Sequence, residues 1–119
     1  MLIDSNKVAK LIDFGFSTKM KISKKVKMFC GTPSYMSPEI LNKVPYSGLS
    51  SDIWALGVLF FVLLAGYFPF IGQNDEELFH RIKNRNFNFP KNIKSEERKV
   101  INKMLEINPE TRITAQQIL

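Results

Sequence analysis

Apolar and polar positions follow three different patterns along this chain of 119 residues, and each predicts a different kind of element. Two short apolar runs, MLID and VAKLID, flank the turn-forming cluster Ser5-Asn6-Lys7 and predict a β-hairpin. From Phe14 to Pro38 neither the strand nor the helix period holds, while Gly, Pro, Ser, Thr and Lys dominate; this predicts a long loop, of the kind that in compact domains is usually functional or disordered. A short helix is expected over Pro38 to Asn42, with Pro38 at its first position and Glu39 near the positive end of its dipole. Further on, NDEELFHRIKN has Asn74 or Asp75 as cap, acids in the first turn, and Leu78, Phe79 and Ile82 at helical spacing. SEERKVINKMLEIN repeats the scheme, with Ser95 as the expected cap and Val100, Ile101, Met104 and Leu105 on one face. A last helix is expected from Thr114. Its arrest at Leu119 suggests a chain that is not a complete domain.

The middle of the chain is ambiguous. Ile53 to Ile71 is nineteen residues without a charge, about the length that raises the question of a membrane span. Gly66 and Pro69 argue otherwise, since they would leave roughly fourteen helical residues, ~21 Å at 1.5 Å each, short of a ~30 Å hydrocarbon core. Asp52, Ser50 and Ser51 read as the N-terminal cap. A helix apolar on every face also suits the centre of a globular domain, so a buried central helix is the favoured reading.

Composition narrows the function classes. The net charge of +6 is local: residues 1 to 30 hold seven Lys against two Asp, and five of those lysines fall between Lys19 and Lys27. Such a stretch reads first as a solvated surface loop, and second as a site for an acidic partner. No aromatic residues interleave with the lysines and no zinc-ligand motif occurs, which argues against nucleic-acid binding. A single cysteine, Cys30, excludes an internal disulfide framework and suits a reducing compartment, so a cytoplasmic or nuclear location is expected. The opening residues lack the apolar core of a signal peptide. His80, alone on an amphipathic run, reads as solvated rather than catalytic.

Asp13-Phe14-Gly15 is a weak signal alone, but it is followed by GTPSYMSPE (Gly31 to Glu39), SDIWALG (Ser51 to Gly57) and NPETRIT (Asn108 to Thr114). In this order and at these spacings the four motifs resemble the C-terminal lobe of a eukaryotic protein kinase, and the match runs the length of the chain. The resemblance implies a mainly α fold: the C-lobe of the kinase-like fold (α+β in the full domain), with one short β-hairpin and a long activation loop. It also identifies the central apolar segment as a buried core helix.

By the same resemblance, Asp13 matches the family's metal-binding aspartate, which holds Mg²⁺ against the β- and γ-phosphates of ATP. Gly15 is expected to let the backbone turn so that this carboxylate points in or out, and Phe14 to pack and fix which. Leu2, with Met1 and Ile3 beside it, matches the apolar floor under the adenine ring, and Ile12 lines the same pocket. Thr32 matches the threonine that hydrogen-bonds the catalytic base, which makes GTPSY look like a serine/threonine kinase. Tyr35 and Met36 match the wall that receives the residue after the substrate hydroxyl. Three further matches are scaffold: Glu39 and Arg112 resemble a buried ion pair, and Asp52 the aspartate that holds the catalytic loop's backbone. ATP, Mg²⁺ and protein substrates are thus the implied ligands, with neither nucleic acid nor membrane as a partner.

Departures from the family pattern carry information too. Ser37 replaces the usual Ala, a small-for-small change expected to be tolerated. Met28 occupies the position where many kinases carry a phosphorylated threonine that orders the loop. The loop is therefore expected to order without that phosphate, the alternative being that regulation has moved to Ser17, Thr18 or Ser23. Val62 replaces the glutamate with which some kinases bind substrate arginine; with AGYFPF following, the chain looks most like the calcium/calmodulin-dependent and AMP-activated group. No Gly-rich loop, ATP-anchoring lysine or His-Arg-Asp catalytic loop occurs in this sequence. By alignment with the family, Met1 falls just after the second metal-binding asparagine, so residues 1–119 are expected to be a partial kinase domain whose N-lobe and catalytic loop lie upstream in a longer reading frame. The chain alone is expected to be inactive, with a non-catalytic interaction module as the alternative role.

Overall fold

The computed structural model describes residues 1–19 and 25–119. Strands β1 (Leu2–Ile3) and β2 (Ala9–Lys10) pair antiparallel, Leu2 opposite Lys10 and Ile3 opposite Ala9. Asp4 closes this hairpin: its Oδ1 accepts from the backbone N–H groups of Asn6 and Val8, both at 2.9 Å. A short 3-10 helix (Pro33–Tyr35) follows, then helices α1 (Pro38–Leu41), α2 (Gly48–Ala65), α3 (Asp75–Lys83), α4 (Ser95–Met104) and α5 (Ala115–Ile118). The expected loop from Phe14 to Pro38 thus contains one helical turn. An isolated bridge also ties it to the next connection, where Val26 and Tyr46 exchange both backbone hydrogen bonds at 2.8 and 3.0 Å.

Two helix starts differ from the sequence expectation. Helix α2 begins five residues before Ile53: Ser47 is its cap, and Ser50, Ser51 and Asp52 lie inside its first turns. The extended backbone needed for a cap occurs at Ser47, just after the bridged Tyr46, and serine hydroxyls tolerate a helix's first turns where its N–H groups are still free. At the other end Gly66 takes φ +81°, the left-handed C-cap, and its N–H donates to the Val62 carbonyl at 2.8 Å. With 18 residues, ~27 Å at 1.5 Å each, α2 is long and apolar enough to cross a membrane, so the expected length argument fails. Its packing is what places it in the core: Trp54, Val58 and Phe61 are fully buried. For α4 the cap is Lys94 rather than Ser95; the Glu97 carboxylate accepts from the Lys94 N–H at 2.7 Å, so acid three residues along serves where the cap side chain does not.

Helix α4 crosses α2 at Gly57, where a Cβ would stand 2.8 Å from the Met104 Cβ and 3.0 Å from a Leu105 methyl. Close approach of the two backbones here requires glycine. Helix α3, capped by Asn74, whose Oδ1 accepts from the Glu77 N–H at 2.9 Å, packs against α1 and the 3-10 helix. An aromatic cluster is centred on Phe61 of α2, which meets Tyr67, Phe87 and Phe89 at centroid distances of 5.7–5.8 Å. Not every face of α2 is covered: Leu49 and Leu63 are 65% and 74% exposed, on the stripe that also carries the half-exposed Leu56. His80 is exposed, as expected of a solvated side chain.

Candidate functional site

One open cleft of about 600 Å³ gathers most of the residues singled out in the sequence. Asp13, Phe14, Thr32, Tyr35, Met36 and Asp52 all line it, although they come from a loop, a 3-10 turn and the second turn of α2. Leu2, Ile12 and Gly15 do not. Leu2 and Ile12 are exposed on and beside the hairpin, which contributes no floor to the cleft.

Asp13 itself, rather than Gly15, adopts the left-handed conformation at φ +63°. Aspartate tolerates this region because its short side chain bonds locally, and here Oδ1 accepts from the Gly15 N–H at 3.1 Å. A Cβ on residue 15 would sit 3.2 Å from that oxygen, so glycine makes room for the carboxylate instead of supplying the turn. Phe14 lines the cleft but is 66% exposed, so its ring is not held by close packing among the described residues. Ser17 closes the turn, with both its N–H and its hydroxyl donating to the Phe14 carbonyl. Ser17 and Thr18 line the cleft, and Ser23 lies outside the described residues.

The 3-10 turn positions the opposite wall. Pro33 presets its first φ, and the N–H groups of Tyr35 and Met36 close it onto the carbonyls of Thr32 and Pro33. Tyr35 stands edge-on to Phe68 at 5.3 Å, and Met36 is buried. The Thr32 side chain caps nothing and is free to face the cleft. Asp52 has no hydrogen-bonded partner among the described residues, and partial burial lifts its carboxyl above the usual carboxylate range.

Beneath this wall lies the ion pair. Arg112 donates to both Glu39 oxygens, Nη1 to Oε1 at 2.7 Å and Nη2 to Oε2 at 3.0 Å, with both side chains almost completely buried. Arg112 also donates to the carbonyls of Glu106, Ser50 and Ile107 and stacks over the Trp54 ring at 5.1 Å. Burial raises the Glu39 carboxyl, but the Arg112 hydrogen bonds and charge outweigh it and hold the group below its ordinary value. Ser51 donates to Glu39 Oε1 at 3.0 Å, and Ser37 donates to Ser51 Oγ at 3.1 Å. The serine that replaces the family's alanine is therefore buried but satisfied.

Cys30, Tyr46 and Ser51 line the cleft as well; sequence reasoning gave Cys30 and Ser51 no place in a site and passed over Tyr46 altogether. Tyr46 sits in the aperiodic VPYSG run, which offers no signal; only the fold shows its hydroxyl donating to the Met28 carbonyl at 2.9 Å. Burial pushes this phenol up, so it remains a donor at neutral pH. Tyr46→Phe is expected to loosen the loop by about 1 kcal/mol, seen as roughly five-fold faster amide exchange at residues 26–30 with the rest of the chain unchanged.

Comparison with known proteins agrees with this arrangement. The sequence pattern of the family described as "Protein kinase domain" matches residues 1–119. The protein named "Probable serine/threonine-protein kinase MARK-A" of Dictyostelium discoideum is 40% identical over 119 residues, covering 100% of this chain and 11% of its own length. CBL-interacting serine/threonine-protein kinase 10 of Arabidopsis thaliana is 41% identical over 121 residues, covering 99% of this chain and 25% of its own length. CBL-interacting protein kinase 15 of Oryza sativa subsp. japonica is 39% identical, covering 99% and 28%. This chain thus spans between about a tenth and just over a quarter of the relatives it matches. With the four motifs in order, three of them lining one cleft, and the whole of its length matched, the chain belongs to the serine/threonine protein kinase family.

Proposed function

We propose that this chain is the C-lobe portion of an ATP-dependent kinase that transfers phosphoryl groups to Ser or Thr of protein substrates, and that it has no activity by itself. The supporting observation is the shared cleft, which Asp13 lines together with Thr32, Tyr35 and Met36. Mg²⁺ takes one or two protein carboxylates and completes its shell with phosphate oxygens and water, which fits a lone acid better than a cage. Among the described residues no group of three or more His, Cys, Asp or Glu side chains could hold a metal, so Asp13 fits as a single ligand. When bound with ATP, the ion offsets charge on the transferring phosphoryl group. The chain's own residues do the positioning: Asp13 holds its carboxylate by the Gly15 N–H, and Tyr35 and Met36 present a firm apolar wall to the residue after the target hydroxyl. Thr32 offers a free hydroxyl to a base outside residues 1–119.

A proton must leave the substrate hydroxyl, and no catalytic-loop base occurs in this sequence. Incubating the 119-residue chain with labelled ATP, Mg²⁺ and a generic Ser/Thr substrate is therefore expected to give no phosphoprotein. A chain extended upstream through a Gly-rich loop, lysine and catalytic loop is expected to give turnover that Asp13→Asn abolishes. Turnover by the short chain, or full activity of the extended Asp13→Asn variant, would overturn the assignment. A second reading, a non-catalytic module that binds other proteins, is favoured by the exposed Leu49 and Leu63 on α2; it predicts an extended chain that stays inactive.

A further inference from the structure

A second groove of about 380 Å³ adjoins the cleft and shares Met28, Ile40 and Tyr46 with it, its lining completed by Lys27, Phe29, Lys43, Val44 and Pro45. It is apolar at its floor and cationic at its rim. Phe29 and Val44 are 49% and 47% exposed, and the Lys43 ammonium stands 5.6 Å from the centre of the Phe29 ring.

Its two walls are held in register. The loop carrying Lys27 to Phe29 and the connection carrying Lys43 to Tyr46 are joined by the Val26–Tyr46 bridge and by the Tyr46 hydroxyl on the Met28 carbonyl. Lys43 sits at φ +55°, an unfavourable region for lysine, where its N–H donates to the Ile40 carbonyl at 2.9 Å. The groove thus keeps its shape without a ligand, and little ordering remains for an occupant to drive.

Charge selects the occupant. Residues 25 to 47 contain Lys25, Lys27 and Lys43 and a single acid, Glu39, which is buried and neutralised by Arg112. Nothing in the groove offsets Lys27 or Lys43. We propose that this groove docks an acidic peptide segment of a partner protein, one in which an aromatic or branched aliphatic side chain enters between Phe29 and Val44 while flanking carboxylates meet Lys27 and Lys43. The groove borders the cleft of the kinase reading, but Lys27, Phe29, Lys43 and Val44 belong to the groove alone, and the proposal stands whether or not the chain takes part in phosphoryl transfer.

The test is fluorescence anisotropy on the 119-residue chain with three labelled hexapeptides: Glu-Asp-Leu-Phe-Asp-Glu, its amide counterpart Gln-Asn-Leu-Phe-Asn-Gln, and Glu-Asp-Ser-Ser-Asp-Glu. The first is expected to bind at least ten-fold more tightly than either of the others. Lys43→Glu and Lys27→Glu are each expected to weaken it at least ten-fold, whereas Lys99→Glu on the exposed face of α4 leaves it unchanged. Protection from amide exchange on the unmodified chain, confined to residues 27–29 and 43–46, is expected with the first peptide and keeps the result independent of how the variants fold. Equal binding of all three peptides, protection elsewhere, no binding at millimolar peptide, or tighter Lys43-dependent binding to duplex DNA or anionic vesicles than to the first peptide would each overturn the proposal.

Discussion

Replacing Arg112 with alanine is expected to destabilise the folded chain by about 3–5 kcal/mol, read as a lower urea midpoint with Trp54 fluorescence as the probe. The cost comes less from the pair lost than from the Glu39 charge left behind. In the intact protein that carboxylate accepts two hydrogen bonds from Arg112 and one from Ser51 in a site closed to water. Without the guanidinium only the Ser51 bond remains, and the carbonyls of Ser50, Glu106 and Ile107 lose their shared donor. Acid separates this explanation from a mere packing loss. Because the Glu39 carboxyl is held below its unfolded value, its contribution is fully present above that unfolded value, near pH 4.3, and is lost as pH falls through the folded one. In Arg112→Ala the two largest lowering causes are gone, and burial, the largest cause of all, outweighs the remaining Ser51 and backbone hydrogen bonds, so the folded carboxyl is expected to move above its unfolded value. That variant is expected to gain stability as pH falls from 7 toward 4, opposite in sign to the unmodified chain. Parallel pH profiles for the two would refute the ion-pair account.

Phe61→Ala is expected to cost about 3–5 kcal/mol, the cavity cost of removing a fully buried aromatic. Phe61 is the ring that Tyr67, Phe87 and Phe89 share, so its loss removes one partner from each of three aromatic contacts, and α2, whose Gly57 already lies close against Met104 and Leu105, cannot move further inward toward α4. Leu63→Ala, two residues along the same helix but 74% exposed, is expected to change stability by no more than about 0.5 kcal/mol. Similar losses for both would mean that helix propensity, not packing, sets the effect. The mutants thus test the burial asymmetry of a segment that, by sequence, is apolar throughout.

Local chemistry explains what was legible in advance. Asn74, Thr114 and Gly66 mark helix ends through bonds made within four residues, and each sits where the sequence places it. The hairpin follows from Asp4 and its neighbours for the same reason. Misplaced features depended on choices between nearby serviceable groups. Ser47, Ser50, Ser51 and Asp52 are all able caps, and only the direction of the chain arriving from Tyr46 selects the first. Ser95 is a good cap by type, yet Glu97 caps from within α4 and moves the start by one residue. At Asp13-Phe14-Gly15 the motif fixes residue types but not backbone angles, so the left-handed position and the bare Phe14 ring are visible only in three dimensions.

From the sequence alone came the family, the order of elements and the residue types of the candidate site, because short motifs and local periodicity are written in consecutive positions. Tertiary structure decided which of those residues meet. Asp13, Thr32 and Asp52 share a cleft while Leu2 and Ile12 stand outside it, and the Glu39–Arg112 pair, which the resemblance alone implied, closes across 73 positions. It also revealed the lysine-rimmed groove, assembled from two stretches more than a dozen residues apart and joined by the Val26–Tyr46 bridge and the Tyr46 hydroxyl. Contacts of that kind depend on how α2 and α4 pack around Gly57 and on where loops are tied, and neither burial nor pairing across such distances has a signature in neighbouring residues.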